Sequence, residues 1–268
     1  MRLGAVLGAI GVAAALTGPV AAQIYPATTS VPHTLDPARL QALAVEREIH
    51  ERFKRGLDAE GRGDWAAAAP EFERIIELNP PEPKGSTARY DLAIARARSG
   101  EYSAAKRLLE EALERDPGFA AAAANLVTTD VLAGDIAAAR TAADRFVAIA
   151  PASARARYER GIVALRSGDL PTARADFRAL AAGDPAYAIA HYDLALIEIR
   201  SSRFEAAEAE LDRALAIDPG YARARFALAT VFVRLGRRAE ARAAFDRAAR
   251  DASDVTLRSL ALDLRDRF

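Results

Sequence analysis

A frame that recurs with a 34-residue period constrains this 268-residue chain more than any single motif in it. From Gly100 to Pro117 the chain reads as one punctuated helix: a glycine able to end the preceding helix in the left-handed region, an apolar stripe at Tyr102, Ala105, Leu109 and Ala112, and a closing proline. The glycine place recurs as Gly63, Gly100, Gly134, Gly168, Ser202 and Gly236, and the alanine five residues on as Ala68, Ala105, Ala139, Ala173, Ala207 and Ala241. The proline place reads Pro80, Pro117, Pro151, Pro185, Pro219 and then Ser253. At average glycine usage, five glycines in six places arise by chance on the order of 1 time in 100,000. In such an array each repeat contacts only its neighbours, so the chain reads as one solenoid rather than as globular domains.

Six repeats are expected, at about 49–82, 86–119, 120–153, 154–187, 188–221 and 222–255, with a short insertion at 81–85. Within each, one helix ends near the glycine and a second ends before the proline, which gives paired antiparallel helices, twelve in all. Asp36-Pro37 looks like an N-cap followed by a first-turn proline, opening a long helix over 37–60 that runs into the first repeat. At the other end, 254–268 reads as a capping helix. Its Leu257, Leu260, Ala261, Leu264 and Phe268 share a face, with Arg258, Asp263, Arg265 and Asp266 elsewhere.

A 34-residue helix-turn-helix period with small residues at fixed places resembles the tetratricopeptide repeat (TPR) family over 49–255. Counting from each repeat's start, the family's leucine at the seventh place matches Leu92, Leu126, Leu194 and Leu228. Its small residue at the eighth matches Gly56, Ala93, Gly161, Ala195 and Ala229. A small residue there lets two helix backbones approach, and the twenty-fourth place carries the filler: Phe72, Leu109, Phe177, Leu211 and Phe245, with Ala143 in the third repeat. The family's aromatics at the fourth and eleventh places are mostly missing. The resemblance implies an all-α, right-handed α-solenoid of six repeats with a C-terminal capping helix, whose first helices line a concave groove.

The groove positions implied by the family carry two rows. The fifth residues are Phe53, Tyr90, Ala124, Tyr158, Tyr192 and Phe226, side chains of the kind that anchor bound peptides, although ordinary packing between helices accounts for them as well. The thirteenth place holds Arg98, Arg166, Arg200 and Arg234, with Arg155 and Arg223 at the second place; guanidinium forks in a row suit carboxylates on a partner. A solvated face neutralised by Asp91, Glu159 and Asp193 is the competing account. Family members that clamp a terminal carboxylate use a lysine and asparagine set, and only Asn125 occupies such a place.

Composition removes several function classes. Thirty-seven basic residues balance 37 acidic ones, so no overall field draws the chain to nucleic acid or an anionic membrane. No cysteine is present, which excludes disulfides, thiolate metal sites and a cysteine nucleophile. His33, His50 and His191 are too scattered for a metal pair or catalytic dyad, and no phosphate-binding glycine loop follows a strand. Residues 1–22, with Arg2, an apolar run, Gly18-Pro19 and Val20-Ala21-Ala22, have the pattern of a cleaved secretory signal; an uncleaved anchor is the alternative. The proline-bearing stretch 23–35 reads as a flexible lead-in. The expected molecule is a periplasmic or secreted, non-catalytic scaffold or adaptor of the bacterial envelope, without cofactor or metal and with no stable membrane insertion once the signal is cleaved. It binds a protein or peptide of acidic character. Self-assembly into homo-oligomers and a non-catalytic role within an envelope enzyme or secretion complex are the alternatives.

Overall fold

The computed structural model describes residues 36–267 except Pro185. The signal segment 1–22, the lead-in 23–35, the proline at 185 and Phe268 therefore lie outside the described residues. Two compact units are distinguished, 1–44 and 45–268. In the first, the described residues are helical from Pro37, and the Asp36 carboxylate accepts a hydrogen bond from the Ala38 N–H at 3.2 Å.

Thirteen helices make up the described residues: α1 (Pro37–Gly61), α2 (Trp65–Glu77), α3 (Lys84–Arg98), α4 (Tyr102–Arg115), α5 (Ala120–Leu132), α6 (Ile136–Ile149), α7 (Ala154–Ser167), α8 (Leu170–Gly183), α9 (Ala188–Arg200), α10 (Phe204–Ile217), α11 (Ala222–Arg234), α12 (Arg238–Asp251) and α13 (Val255–Arg267). From α2 onward each packs on the next, and first helices of successive repeats touch as well, α3 with α5, α5 with α7 and α9 with α11. This is an all-α solenoid.

Local chemistry sets the helix ends. Gly63, Gly100, Gly134, Gly168 and Gly236 all have φ between 74° and 83°, the left-handed turn that the glycine frame requires, and Ser202 takes the same turn at φ 56°. Just after that turn Asp64, Asp135 and Asp169 cap α2, α6 and α8 by accepting from the N–H of Ala67, Ala138 and Thr172. Where second helices end, Asp116 and Asp218 accept from Gly118 and Gly220 N–H, closing the Asp-Pro-Gly turns that lead into α5 and α11. α3 begins at Lys84, two residues ahead of the repeat frame, so part of the 81–85 insertion is helical.

The core follows the frame. Ala68, Ala105, Ala139, Ala173, Ala207 and Ala241 are all fully buried, as are the fillers Phe72, Phe177, Leu211 and, to within 1%, Leu109 and Phe245. In the third repeat the bulk sits at Phe146, buried beside Ala143 in the core. The last helix departs from the expected stripe: Ala261 is buried and Leu257, Leu262 and Leu264 are half-buried, but Leu260 is 45% exposed. Leu262 and Leu264, not Leu260, pack on the terminal core.

Candidate functional site on the first helices

The aromatic row is half-buried, and each ring leans on a ring of its own repeat. Phe53 packs against Phe72 at 6.2 Å between centroids, Tyr158 against Phe177 at 6.1 Å and Phe226 against Phe245 at 5.4 Å. Tyr90 meets Phe119 at 5.0 Å, Tyr192 meets Tyr221 at 5.2 Å, and Tyr158 also meets Tyr187 at 6.5 Å. The second ring of these last three pairs is the final residue of a repeat, outside the fifth-place row. One side of each ring in the row is thus spent on packing, and the rest is partly exposed.

All six arginines of the second row are exposed, but they do not form a uniform array. Arg98 lies over Trp65 at 5.6 Å and Arg234 over Phe204 at 4.8 Å, while Arg200 donates to the Leu165 carbonyl. These three reach back to the turn of the preceding repeat, where they brace the seam between repeats. Arg155 stands 3.8 Å from Glu159, the field of Arg166 also reaches that carboxylate, and the field of Arg223 reaches the Tyr192 and Tyr221 phenols.

Asp91 and Asp193 are not the solvated counter-charges that the sequence suggested. They are 7% and 3% exposed. Burial pushes Asp193 up to about 7, and burial together with nearby Glu60 pushes Asp91 up to about 8. Glu60, half-buried at the end of α1, is itself raised to about 7 by burial, and Glu159 is raised by burial against the pull of Arg155. Glu60 Oε1 and Asp193 Oδ2 have no hydrogen-bond partner among the described residues. Asn125 hydrogen-bonds the Tyr90 phenol. The signal for these acids was in the sequence: Tyr90-Asp91, Tyr158-Glu159 and Tyr192-Asp193 repeat an aromatic-acid pair at one register.

Away from this face several charged groups pair with one another. Asp176, 4% exposed, accepts both arms of Arg160 at 2.7 and 2.8 Å, and Lys106 reaches Asp130 of the next repeat at 2.9 Å. A cleft of about 290 Å³ between α6, α7 and α8 is lined by Arg140, Asp144, Arg160 and Asp169, whose charges pair within it. His191 Nδ1 lies 2.8 Å from Glu210 Oε2, and His50 is exposed on α1. His33 lies outside the described residues. Among the described residues no group of three or more His, Cys, Asp or Glu side chains is placed to hold a metal ion, and no helix is long and apolar enough to cross a membrane.

Two family models, both described as tetratricopeptide repeat, match the chain, one at residues 53–118 and 158–222 and the other at 96–159 and 198–262. Among solved structures, a tetratricopeptide repeat protein from Parabacteroides merdae superposes with a TM-score of 0.72 at 16% identity, covering 82% of this chain and 86% of that one. YrrB, a TPR protein with an unusual peptide-binding site, gives 0.56 at 17% identity over 73% of this chain and 97% of its own. PilW, a type IV pilus biogenesis factor, gives 0.55 at 24% identity over 63% and 79%. No curated protein sequence matches the chain.

Proposed function

Because the chain belongs to the tetratricopeptide repeat family, we propose that it is a non-catalytic interaction scaffold of the bacterial envelope that holds a segment of a partner protein along its first helices. The observation that carries this reading is the juxtaposition there of half-buried rings, at Tyr90, Tyr158, Tyr192 and Phe226, with the exposed guanidiniums of Arg155, Arg166 and Arg223. Rings offer rigid contact area and guanidinium forks fix carboxylates, which suits a peptide bearing acidic residues. PilW supports the envelope placement by analogy, as a fold relative with a role in pilus biogenesis. In this reading residues 1–22 are a secretory signal and the exported protein starts at Gln23, so the intact mass of native material should lack those 22 residues.

The deciding experiment reverses charge at two places. Arg166→Glu with Arg223→Glu should abolish cross-linking to envelope partners while circular dichroism and melting stay unchanged. Arg213→Glu with Arg247→Glu, exposed on the second helices α10 and α12, should keep it. If both pairs cross-link to the same partners, the first-helix face is not the binding surface, and association through the ends of the array takes its place.

A further inference from the structure

Two tyrosine pairs from successive repeats lie within the field of one buried carboxyl group. Tyr158 meets Tyr187 edge-on, with ring planes at 88°, and Tyr192 meets Tyr221 with planes at 47°. Asp193, adjacent to Tyr192 on α9, acts on all four phenols and with burial raises each one's pKa, that of Tyr221 to about 12. The Asp193 side chain is buried, and its Oδ2 has no hydrogen-bond partner among the described residues. A buried carboxylate oxygen without a donor is costly, and proteins retain one where a donor arrives from elsewhere.

The surroundings favour a cation. Glu159 adds its field at Tyr158, Asp184 at Tyr187 and Asp218 at Tyr221; the positive group whose field reaches these rings is Arg223, at Tyr192 and Tyr221. Glu159, at the same register one repeat earlier, already has Arg155 at 3.8 Å, and no such ion pair reaches Asp193 among the described residues. Aromatic faces and a desolvated carboxylate together form the chemistry that holds an ammonium or guanidinium.

We propose that Asp193 with Tyr158, Tyr187, Tyr192 and Tyr221 receives a basic side chain, a lysine or arginine, carried by the partner segment. The assignment rests on the first-helix face being the binding surface and gives that segment its chemistry: a basic residue seated at Asp193, with acidic residues alongside for Arg166 and Arg223. A seated cation favours the ionised carboxyl, so the proton leaves Asp193 for solvent on binding. Binding therefore strengthens as pH rises through about 7.

The test titrates the full chain with Ac-Ala-Arg-Ala-amide and Ac-Ala-Lys-Ala-amide, following tyrosine ring shifts by NMR, with Ac-Ala-Gln-Ala-amide and tetramethylammonium as comparison arms. The expected result is that basic peptides move the rings of Tyr158, Tyr187, Tyr192 and Tyr221 and the glutamine peptide does not. Asp193→Asn should weaken the basic peptides by about tenfold or more and remove the pH dependence. Helicity of the variant is checked first; were it to unfold, Tyr221→Leu, which removes one wall and leaves the carboxyl, supports the same comparison. Equal binding by wild type and variant, or no ring shift at millimolar peptide, overturns the proposal. Tetramethylammonium binding without peptide binding makes this a site for a free quaternary ammonium and also overturns it. Loss of partner cross-linking in the Arg166 and Arg223 reversal is read separately, so the scaffold reading can stand while this site falls.

Discussion

Phe177 occupies the space that Gly161 leaves: a Cβ on residue 161 would lie 2.7 Å from Phe177 Cε1 and 2.9 Å from its Cζ. Gly56 and Phe72 repeat the relationship three repeats earlier, at 2.6 Å from Cζ. The same two places hold Ala93 with Leu109 and Ala195 with Leu211, and in the third repeat the sizes invert to Val127 with Ala143. Ala229 with Phe245 shows that the matching is not strict. Gly161→Ala should therefore destabilise by about 1–3 kcal/mol, since the ring or the helix must shift. Adding Phe177→Leu recreates the alanine-leucine pairing and should recover part of the loss. Urea denaturation of the four proteins in the cycle measures the coupling; strictly additive effects would show that the two residues do not share one space.

Ser202 holds a backbone conformation that the other repeats give to glycine, φ 56° against 74–83°. A side chain at such a φ is strained, and glycine removes the strain at some cost in unfolded-state entropy. Ser202→Gly should raise stability by about 0.5–1 kcal/mol, seen as a higher urea midpoint, whereas Gly168→Ser should lower it.

Buried acids give the chain a pH response of unusual sign for carboxyl groups. Asp91, Glu60 and Asp193 titrate near 8, 7 and 7 in the folded chain, against 3.8, 4.5 and 3.8 ordinarily. In that window the folded state holds protons that the unfolded state has released. Their stabilising contribution is complete below about pH 4 and is lost as pH rises through about 7 to 8. Asp193→Asn should accordingly be more stable than wild type at alkaline pH by about 1–4 kcal/mol, and no more stable near pH 4. Thermal melts across that range give the answer, and a gain that does not vary with pH would assign the effect to packing instead.

The repeat register has its own test. Ala173 and Ala207 are fully buried at helix crossings, and Ala209 on α10 is exposed. Leucine at either buried position should cost about 1–3 kcal/mol by overpacking, and Ala209→Leu should stay within about 0.5 kcal/mol of wild type. Matching melting temperatures for all three would place the crossings elsewhere.

The helical frame was legible because its determinants are local. A left-handed residue at Gly134 or Gly168, a cap at Asp135 or Asp169 and the apolar stripe that follows act within one or two turns; the left-handed residue recurs six times and the aspartate cap three. The face carrying Tyr90, Tyr158 and Tyr192 was legible as a row, but its packing partners were not. Phe119, Tyr187 and Tyr221 sit at the far end of each repeat and meet the row only once helices fold back on one another. The reach of the arginines was not legible. A side chain as long as that of Arg98 or Arg234 goes where an aromatic face draws it, here the preceding repeat's Trp65 or Phe204, and a helical-wheel position does not encode that. Burial of Asp91 and Asp193 depends on how the helices pack, which also lies beyond a reading of one helix at a time.

Packing along α2 to α13 passes from each helix to the next and, between first helices, from one repeat to its neighbour. A load carried between the two ends is then borne in series, seam after seam, and small rotations at successive seams add up while every helix stays intact. Ligand groups held at Tyr90 and at Phe226 would ride on such an elastic spacer, and the distance between them could change without any helix unwinding. Stiffness would reside in the braces that cross each seam, the Lys106 to Asp130 ion pair and the Arg234 stack on Phe204 among them, so substitutions there would soften the array as a spring before they unfolded it.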